Sequence, residues 1–250
     1  MHQDETQTLA LVGKDSVSIV DCLKKLRRFF ANEMRFRLRK QLIDQIIAAV
    51  RRDLMFGDSV QLIAYWGIGY SGHIGNAEIR AAAFLREWLD EFVDIIDIPA
   101  VLTFIITDTH AALNGIPRQT VDKYLQEVGP FLGSQFAQPL TMTEVLGNPA
   151  IARRLRPVTL GDWNDVPMGL QAELIRLAGS FSTDCEPLDL AQRYFAQNLL
   201  ESAALSYLYP LALFLTYQAP PSDLLLPPLP KIHAYVDVGK TVKRPWFAGG

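Results

Sequence analysis

The feature that most constrains the fold is a strand, a glycine-rich loop, a helix and a second strand in direct succession. Val60-Gln-Leu-Ile-Ala-Tyr-Trp is short and apolar, as a buried strand is, and leads into a loop from Gly67 to Gly75. A helical pattern then runs from Asn76 to about Phe92. The apolar run Val101-Leu-Thr-Phe-Ile-Ile predicts the next strand. This order predicts an α/β protein with a Rossmann-like parallel sheet flanked by helices.

The rest of the chain is expected to complete one Rossmann-like domain over residues 1–250. Helical periodicity is clear on both sides of the strands, and Gly, Pro, Asp and Asn divide residues 130–190 into what we expect to be short helices. The expected parts are a basic helical segment at 17–52, a nucleotide- or aminoacyl-site half at 60–130 containing a helix from Arg118, and a C-terminal part at 188–250. That last part is predicted to hold a long helix from about Leu188 to Tyr207, a proline-rich tail and a strand at Ile232–Val238.

Positive charge is concentrated in the basic helical segment. The whole chain has 24 Lys and Arg against 27 Asp and Glu, so its net charge of −3 predicts no general attraction to nucleic acid. Between Lys24 and Arg52, however, ten cations are opposed only by Glu33 and Asp44. The pattern fits phosphate-backbone binding, and it also fits a solvated helix face paired with acids elsewhere. The ten are Lys24, Lys25, Arg27, Arg28, Arg35, Arg37, Arg39, Lys40, Arg51 and Arg52.

Polar groups follow both predicted strands. The first strand continues as Tyr65-Trp-Gly-Ile-Gly-Tyr-Ser-Gly-His-Ile-Gly-Asn76, and the second as Thr107-Asp-Thr-His-Ala-Ala-Leu-Asn-Gly115. Ligands of such sheets bind at the carboxyl ends of the strands, so these groups predict a pocket. Structural roles are equally open: a turn serine, a helix-capping aspartate and a core histidine. The substrate-binding candidates are Gly67, Gly69, Gly72, His73, Asn76, Asp108, His110 and Asn114.

These two motifs resemble the catalytic core of archaeal and eukaryotic tyrosyl-tRNA synthetases. That family has a Tyr-x-Gly strand end, a Ser/Thr-Gly turn, a helix, and a strand ending in Asp-x-His-x-x-x-Asn. The resemblance covers roughly Gln61 to Gly115, and Tyr209-Pro210 resembles a Tyr-Pro step in a later helix of that core. It implies a class I aminoacyl-tRNA synthetase fold, with Tyr209 added to the substrate-binding candidates.

Departures from the synthetase pattern argue against activation of an amino acid with ATP. Gly75 and Glu78 stand where the two histidines of the family's ATP-binding His-x-Gly-His belong. The tyrosine-reading positions of the later helix are occupied by Leu213 and Thr216, and the Gly-Gly-x-Asp-Gln element is missing. Gly239-Lys-Thr-Val-Lys243 is at best a remnant of the Lys-Met-Ser-Lys-Ser loop, and there is no room for an anticodon-binding domain. We therefore predict no cofactor and no metal.

The chain is most similar to the cyclodipeptide synthases, which resemble a tyrosyl-tRNA synthetase core without its ATP site. These enzymes take aminoacyl groups from charged tRNAs onto a serine in a Gly-x-Ser turn, and Gly69-Tyr-Ser71 matches that turn. They also carry a Tyr-x-x-x-Glu-x-Pro segment on a late helix. Here Tyr194, Glu201, Tyr207 and Pro210 occupy that region with a different spacing.

The resemblance implies an aminoacyltransferase that forms peptide bonds from aminoacyl-tRNA through an aminoacyl-serine intermediate, for secondary metabolite biosynthesis. Ser71 would be the nucleophile, the Gly72 amide would stabilise the oxyanion, and Glu201 with Tyr207 or Tyr65 would hold the incoming amine. The partners would be aminoacyl-tRNA, bound by the ten cations, and a small dipeptide product, with no DNA.

Three other functions stay open at this point. An ATP-dependent aminoacyl ligase would use His73 with Lys240 or Lys243 for the phosphates, and a non-catalytic paralogue would only bind tRNA through the basic segment. A Rossmann-like enzyme acting on a small metabolite is the third. A cytoplasmic location is expected, because the first 15 residues are polar and acidic and no apolar run reaches the roughly 20 residues of a membrane span.

Overall fold

The computed structural model describes residues 16–30, 40–56, 59–68, 71–155, 157, 160–179, 186–216 and 235–237. The strands are β1 (Val60–Trp66), β2 (Ala100–Ile106), β3 (Leu140–Thr141), β4 (Leu213–Thr216) and β5 (Tyr235–Asp237). The longer helices are α1 (Ser16–Phe30), α2 (Lys40–Phe56), α3 (Asn76–Ile96), α5 (Arg118–Gly133), α9 (Met168–Gly179) and α10 (Pro187–Leu208). The short ones are α4 (Asp108–Leu113), α6 (Met142–Gly147), α7 (Pro149–Ala152) and α8 (Leu160–Asn164).

The five strands form one parallel sheet in the order β3-β2-β1-β4-β5. β1 is central: Leu62 pairs with Leu102 of β2 on one side and with Leu213 of β4 on the other. The direction of strand succession reverses between β1 and β4, which is where such sheets bind ligands. The predicted α/β fold, a Rossmann-like parallel sheet flanked by helices, is confirmed.

Both faces of the sheet are covered, which explains why its strands are almost continuously apolar. Alternate residues of β1 point to opposite sides. Leu62 and Trp66 pack in the main core with residues of α1, α2, α3 and α5, whereas Ile63 packs with residues of α6, α7 and α10. α5 and α10 therefore lie on opposite faces of the sheet.

Most predicted elements are confirmed. β1, β2 and α10 lie within a residue or two of their expected bounds, α5 begins at the expected Arg118, and the short helices expected between residues 130 and 190 are present. The helix starting at Asn76 is four residues longer than expected and ends at Ile96. β5 lies inside the strand predicted at 232–238, whose other residues are outside the described part of the chain. β3 and β4 were not predicted from the sequence.

Tyr209 and Pro210, which resemble a Tyr-Pro step in a later helix of the synthetase core, directly follow the end of a helix in this chain. α10 ends at Leu208, and the amide of Tyr209 closes it by donating to the carbonyl of Leu205 at 2.8 Å. Proline has no N–H and disfavours a helical conformation in the residue before it, so the helix stops here. The residues that follow form β4, and Leu213 is buried in the core instead of reading a substrate from a helix.

Across the part of the chain that the structure describes, no helix combines the length and the apolar character that crossing a bilayer requires.

Candidate active site

The predicted nucleophile stands on the surface at the carboxyl end of β1. Ser71 is exposed, and its hydroxyl donates to the backbone carbonyl of His73 at 3.3 Å. Gly67 is half-buried just after the strand, while Gly69 and Tyr70 lie outside the described residues. We call residues 71–75 the serine loop. Its hydroxyl is accessible and is satisfied by its own turn.

Gly72 brings the serine loop into close contact with α5. Its φ is +64°, in the left-handed region, and a Cβ placed on it would lie 2.8 Å from the Cγ2 of Thr120. A side chain at this position would be strained by the backbone and blocked by α5. The choice of glycine is therefore explained by packing as well as by the turn.

The amides at the start of α3 are bound by two carboxylates. Ile74 N–H donates to Oε2 of Glu127 on α5 at 3.0 Å, and Gly75 N–H donates to Oε2 of Glu78 at 3.1 Å. Gly75 is the N-cap of α3, the exposed Asn76 is its first residue, and Glu78 is buried in the first turn. Amides at a helix N-terminus are the donors that phosphates bind. Here the carboxylates already occupy these two donors and add negative charge.

His73 lies beside a lysine. Its Nδ1 is 3.3 Å from the Nζ of Lys123 on α5, and both side chains are exposed. An ammonium can only donate, so a hydrogen bond between them would have Nδ1 as its acceptor. The His73 ring is thus held by α5 two residues after Ser71. The lysines 240 and 243 that the ATP-dependent alternative would combine with His73 lie outside the described residues.

A second set of polar side chains is buried between α4 and α10. Glu201 of α10 is fully buried, and its Oε1 accepts hydrogen bonds from Thr109 Oγ1 at 2.6 Å and from Gln197 Nε2 at 2.7 Å. Its Oε2 lies 3.1 Å from His110 Nε2, a distance suited to an ion pair, although the two atoms are not aligned as a hydrogen bond. The His110 ring meets the ring of Tyr194 edge-on at 5.9 Å. We call Thr109, His110, Tyr194, Gln197 and Glu201 the Glu201 cluster.

Asp108 and Asn114, at the two ends of α4, have structural contacts. Asp108 accepts a hydrogen bond from the amide of Thr143 at 3.0 Å, so it caps α6 and not the helix it begins. Asn114 is half-buried and ends α4, with its amide donating to the carbonyl of His110 at 2.9 Å. Of the candidates that follow β2, His110 is the one that joins the buried cluster.

The structure separates Glu201 from one of its expected partners. Tyr207 lies six residues further along α10, on a different face, and is exposed beneath the guanidinium of Arg154, 4.2 Å from the ring centroid. Tyr65 is half-buried in β1, with its ring 6.2 Å from that of Phe214. Tyr209 is half-buried at the end of α10, and burial raises its pKa.

Gln197, like Thr109, contacts Glu201 but was not among the candidates predicted from the sequence. It lies four residues before Glu201, so the two share a face of α10. This is also the spacing of the tyrosine in the Tyr-x-x-x-Glu segment of the cyclodipeptide synthases. Aligning that segment on Glu201 alone would have identified Gln197.

The basic segment presents cations from two helices. Lys25 and Arg28 of α1 and Arg51 of α2 are exposed. Three others are in ion pairs: Lys24 with Asp21 at 3.2 Å, Arg27 with Asp44 at 2.6 Å, and Arg52 with Asp53 at 2.6 Å. Arg52 also donates to the carbonyl of Leu211 at 3.0 Å. Lys40 begins α2, and Arg35, Arg37 and Arg39 lie outside the described residues.

Comparison with known proteins identifies the fold. No family model and no curated protein sequence matches the chain. Among solved structures it is similar to the PvcA protein from Pseudomonas aeruginosa, with a TM-score of 0.61 and 13% identity over 92% of this chain and 87% of that one. It is also similar to tyrosyl-tRNA synthetase from Archaeoglobus fulgidus, solved with L-tyrosine, with a TM-score of 0.52 and 13% identity over 88% of this chain. The match spans 64% of that synthetase. The chain has a class I aminoacyl-tRNA synthetase-like core, and its structural neighbours include an enzyme.

Proposed function

We propose that this chain is an aminoacyltransferase that consumes aminoacyl-tRNA and forms peptide bonds through an aminoacyl ester on Ser71, as cyclodipeptide synthases do. Its product would be a small dipeptide, its location cytoplasmic and its polymer partner tRNA, not DNA. We further propose that residues 1–250 act as one domain, because the central strand β1 pairs with β2 on one side and with the late strand β4 on the other.

The proposal rests on the two carboxylates that bind backbone amides at the N-terminus of α3. In the synthetase pattern the ATP-binding histidines belong at Gly75 and Glu78. In this chain Glu78 and Glu127 hold the amides of Gly75 and Ile74. Two carboxylates at this position repel phosphates and leave them fewer donors. An acyl substrate that arrives already activated, as an ester of tRNA, requires no triphosphate site.

The first step would be transfer of the aminoacyl group to Ser71. Its Oγ attacks the ester carbonyl, the bond to the tRNA 3′-terminal ribose breaks, and the serine proton ends on the released ribose hydroxyl. The backbone amide of Gly72 would stabilise the oxyanion. Because the ester is already activated, correct positioning supplies much of the rate.

The second step would join two aminoacyl groups. The α-amine of the aminoacyl group on Ser71 attacks the ester carbonyl of a second aminoacyl-tRNA, the bond to that tRNA's ribose breaks, and Glu201 relays the proton that the amine loses to the released ribose oxygen. The dipeptidyl group would then leave Ser71 when its free α-amine attacks the Ser71 ester, and the serine oxygen takes up the proton. Glu201 is fully buried and bonded to Gln197 and Thr109, so an amine reaches it by replacing one of these donors. An ammonium is a suitable replacement, since it too donates hydrogen bonds to a carboxylate and brings the opposite charge.

The tRNA would lie against the exposed cations of α1 and α2. Lys25, Arg28 and Arg51 are the described side chains best placed for phosphate contacts, since Arg27 and Arg52 are already held by Asp44 and Asp53. Replacing one phosphate-contacting cation should weaken binding for all tRNA sequences and lower the salt dependence by about one counterion.

The test is mass spectrometry of the protein after incubation with charged tRNA and no ATP. The expected product is an adduct of one amino-acid residue on the peptide that contains Ser71, lost in Ser71→Ala. Ser134→Ala is the matched control, because Ser134 is also exposed and also donates to a nearby carbonyl, that of Phe131. An adduct formed only with ATP and free amino acids would instead establish that the chain is an ATP-dependent aminoacyl ligase.

A non-catalytic tRNA-binding role is the second candidate, favoured by one observation. Ser71 is satisfied by its own loop and Glu201 is sealed from solvent, which is how both side chains would look if they were structural. That role predicts tRNA binding in a filter assay, unchanged by Ser71→Ala, with no adduct and no dipeptide under any condition.

A further inference from the structure

One face of α5 contacts the serine loop along its length. Thr120, Lys123, Tyr124 and Glu127 are spaced three, four and seven residues apart, so they lie on one face of the helix. We call these four residues the α5 stripe. Thr120 packs against Gly72, Lys123 contacts the ring of His73, and Glu127 accepts the amide of Ile74. The loop thus lies along the helix, in register with its turns.

The α5 stripe also contacts Trp66, the last residue of β1. Tyr124 is fully buried, and its hydroxyl accepts a hydrogen bond from Trp66 Nε1 at 2.8 Å. Trp66 is the last residue of β1, and Ile74 is the last residue before the N-cap of α3. The two ends of the connection between strand and helix are therefore attached to side chains one turn apart on α5.

Glu127 differs from the other carboxylate at this place. Glu78 caps its own helix, as an acidic residue in a first turn commonly does. Glu127 reaches the loop from a separate helix, 53 residues away in sequence, so its hydrogen bond fixes the loop relative to the rest of the fold. Glu127 is exposed, which means that the folded core does not depend on it.

We propose that the α5 stripe positions Ser71 for acyl transfer and that Glu127 is its main positioning residue. Glu127 holds the Ile74 amide, the loop is fixed between this bond and the Thr120 contact at Gly72, and Ser71 and the Gly72 amide are kept facing the same carbonyl. This inference rests on the proposed function for its effect on the reaction. Attachment of the loop to α5 can be measured without any substrate.

The experiment compares Glu127→Ala, Glu127→Gln and Gln126→Ala with the unmodified protein. Gln126 is exposed on the neighbouring position of α5 and serves as the matched control. Hydrogen exchange of the 71–75 amides reports attachment of the loop. Acylation of Ser71 at saturating charged tRNA, together with the Kd for tRNA, reports positioning.

Glu127→Ala is expected to speed exchange of the Ile74 amide by about tenfold or more, since it removes a hydrogen bond to a charged acceptor. It should slow acylation by about 100-fold, the effect of misplacing a reacting group by about 1 Å, while the Kd for tRNA stays unchanged. Glu127→Gln keeps an acceptor oxygen, so it should restore most of the protection of the Ile74 amide and most of the acylation rate. Gln126→Ala should change neither the exchange nor the acylation.

Unchanged exchange in Glu127→Ala would overturn the inference whatever the protein catalyses. Faster exchange with undiminished acylation would also overturn it, because the loop would then be attached without being positioned. If Glu127→Gln were as slow as Glu127→Ala, charge and not the hydrogen bond would be the cause, and the inference would again be wrong. If the unmodified protein is never acylated, the proposed function fails, while faster exchange in Glu127→Ala still establishes the attachment.

Discussion

The serine loop and the Glu201 cluster border the same end of the sheet but are built in different ways. In the serine loop, backbone amides donate to carboxylates and a glycine packs against a neighbouring helix, while the reactive side chain stays outside. In the Glu201 cluster the backbone is ordinary helix, and a buried carboxylate is held by the side chains around it.

In the serine loop, the side chain proposed to react is separate from the contacts that stabilise the loop. In the Glu201 cluster, the same carboxylate has both roles. Ser71 can be removed without disturbing what holds the serine loop, because its neighbours and α5 hold it. Glu201 cannot be removed in that way, since Thr109 and Gln197 would lose their buried acceptor. Loss of activity is thus easier to interpret at Ser71 than at Glu201.

The largest effect is expected from Glu201→Ala. Deleting a buried carboxylate that accepts two hydrogen bonds and faces His110 should lower the free energy of unfolding by about 3–5 kcal/mol. Urea denaturation measures this directly. Glu201→Gln keeps the shape and one acceptor oxygen, so it should cost clearly less. Equal losses in the two variants would show that the cluster does not depend on its hydrogen-bond acceptor.

Gly72→Ala should follow, at about 2–3 kcal/mol. Part of that cost is the left-handed backbone, and the rest is the contact with Thr120. Gly115→Ala is the matched control, since Gly115 has a similar φ of +69° but nothing within 4 Å of the added carbon. We expect Gly115→Ala to cost only about 1 kcal/mol in the same unfolding assay. Equal costs would mean that the serine loop can move away from α5.

Tyr124→Phe tests the attachment of Trp66 to α5. Loss of the acceptor for the Trp66 indole should lower the free energy of unfolding by about 1–2 kcal/mol at neutral pH.

The pH dependence of the same variant has a defined sign. Burial raises the pKa of Tyr124, and the charges of Glu78 and Glu127 raise it further, against a lowering by the Trp66 hydrogen bond. The folded state keeps its proton when the unfolded tyrosine ionises near pH 10, so stability falls as pH rises above about 10. Unfolding curves from pH 8 to 11 should show a shallower fall in Tyr124→Phe. A fall as steep as in the unmodified protein would assign the effect to other tyrosines.

The smallest effect is expected from Ser71→Ala, within about 0.5 kcal/mol in urea denaturation, because Ser71 is exposed and makes one long hydrogen bond within its turn. A loss above about 1 kcal/mol would show that the serine loop depends on this hydroxyl, and the contrast with the Glu201 cluster would disappear.

The central fold was predictable because its signals are local. β1 is a continuous apolar run followed by glycines, and α10 has a helical pattern with Pro187 at its start. β4 was not predictable in the same way, since its four residues are too few to show a period and become a strand through pairing with β1. The end of α10 was predictable, since the helical pattern stops at about Tyr207 and Pro210 follows shortly after.

Candidate residues for the site could be chosen from the sequence by their type, but their contacts with one another could not be predicted. Ser71, His110 and Glu201 were candidates from the sequence, and Glu201 was expected to act with Tyr207 or Tyr65, whereas its neighbours in the structure are Thr109, Gln197 and His110. Which face of α10 turns inward depends on how it packs against α4, and sequence spacing alone does not fix that. The role of Glu127 depends on a contact between distant parts of the chain and has no local signal.

The pairing of β1 with β4 has a consequence for the synthesis of the protein. Leu62 of β1 pairs with Leu213 of β4, which is synthesised about 150 residues later. On the ribosome β1 can therefore pair with β2 long before β4 has been synthesised. During that interval β1 is an edge strand with exposed amides and carbonyls, the form in which strands join those of other chains. Translation that stops before β4 would release an aggregation-prone fragment that already contains Ser71 and Glu201. β4 therefore protects the nascent chain as well as joining β5 to the sheet.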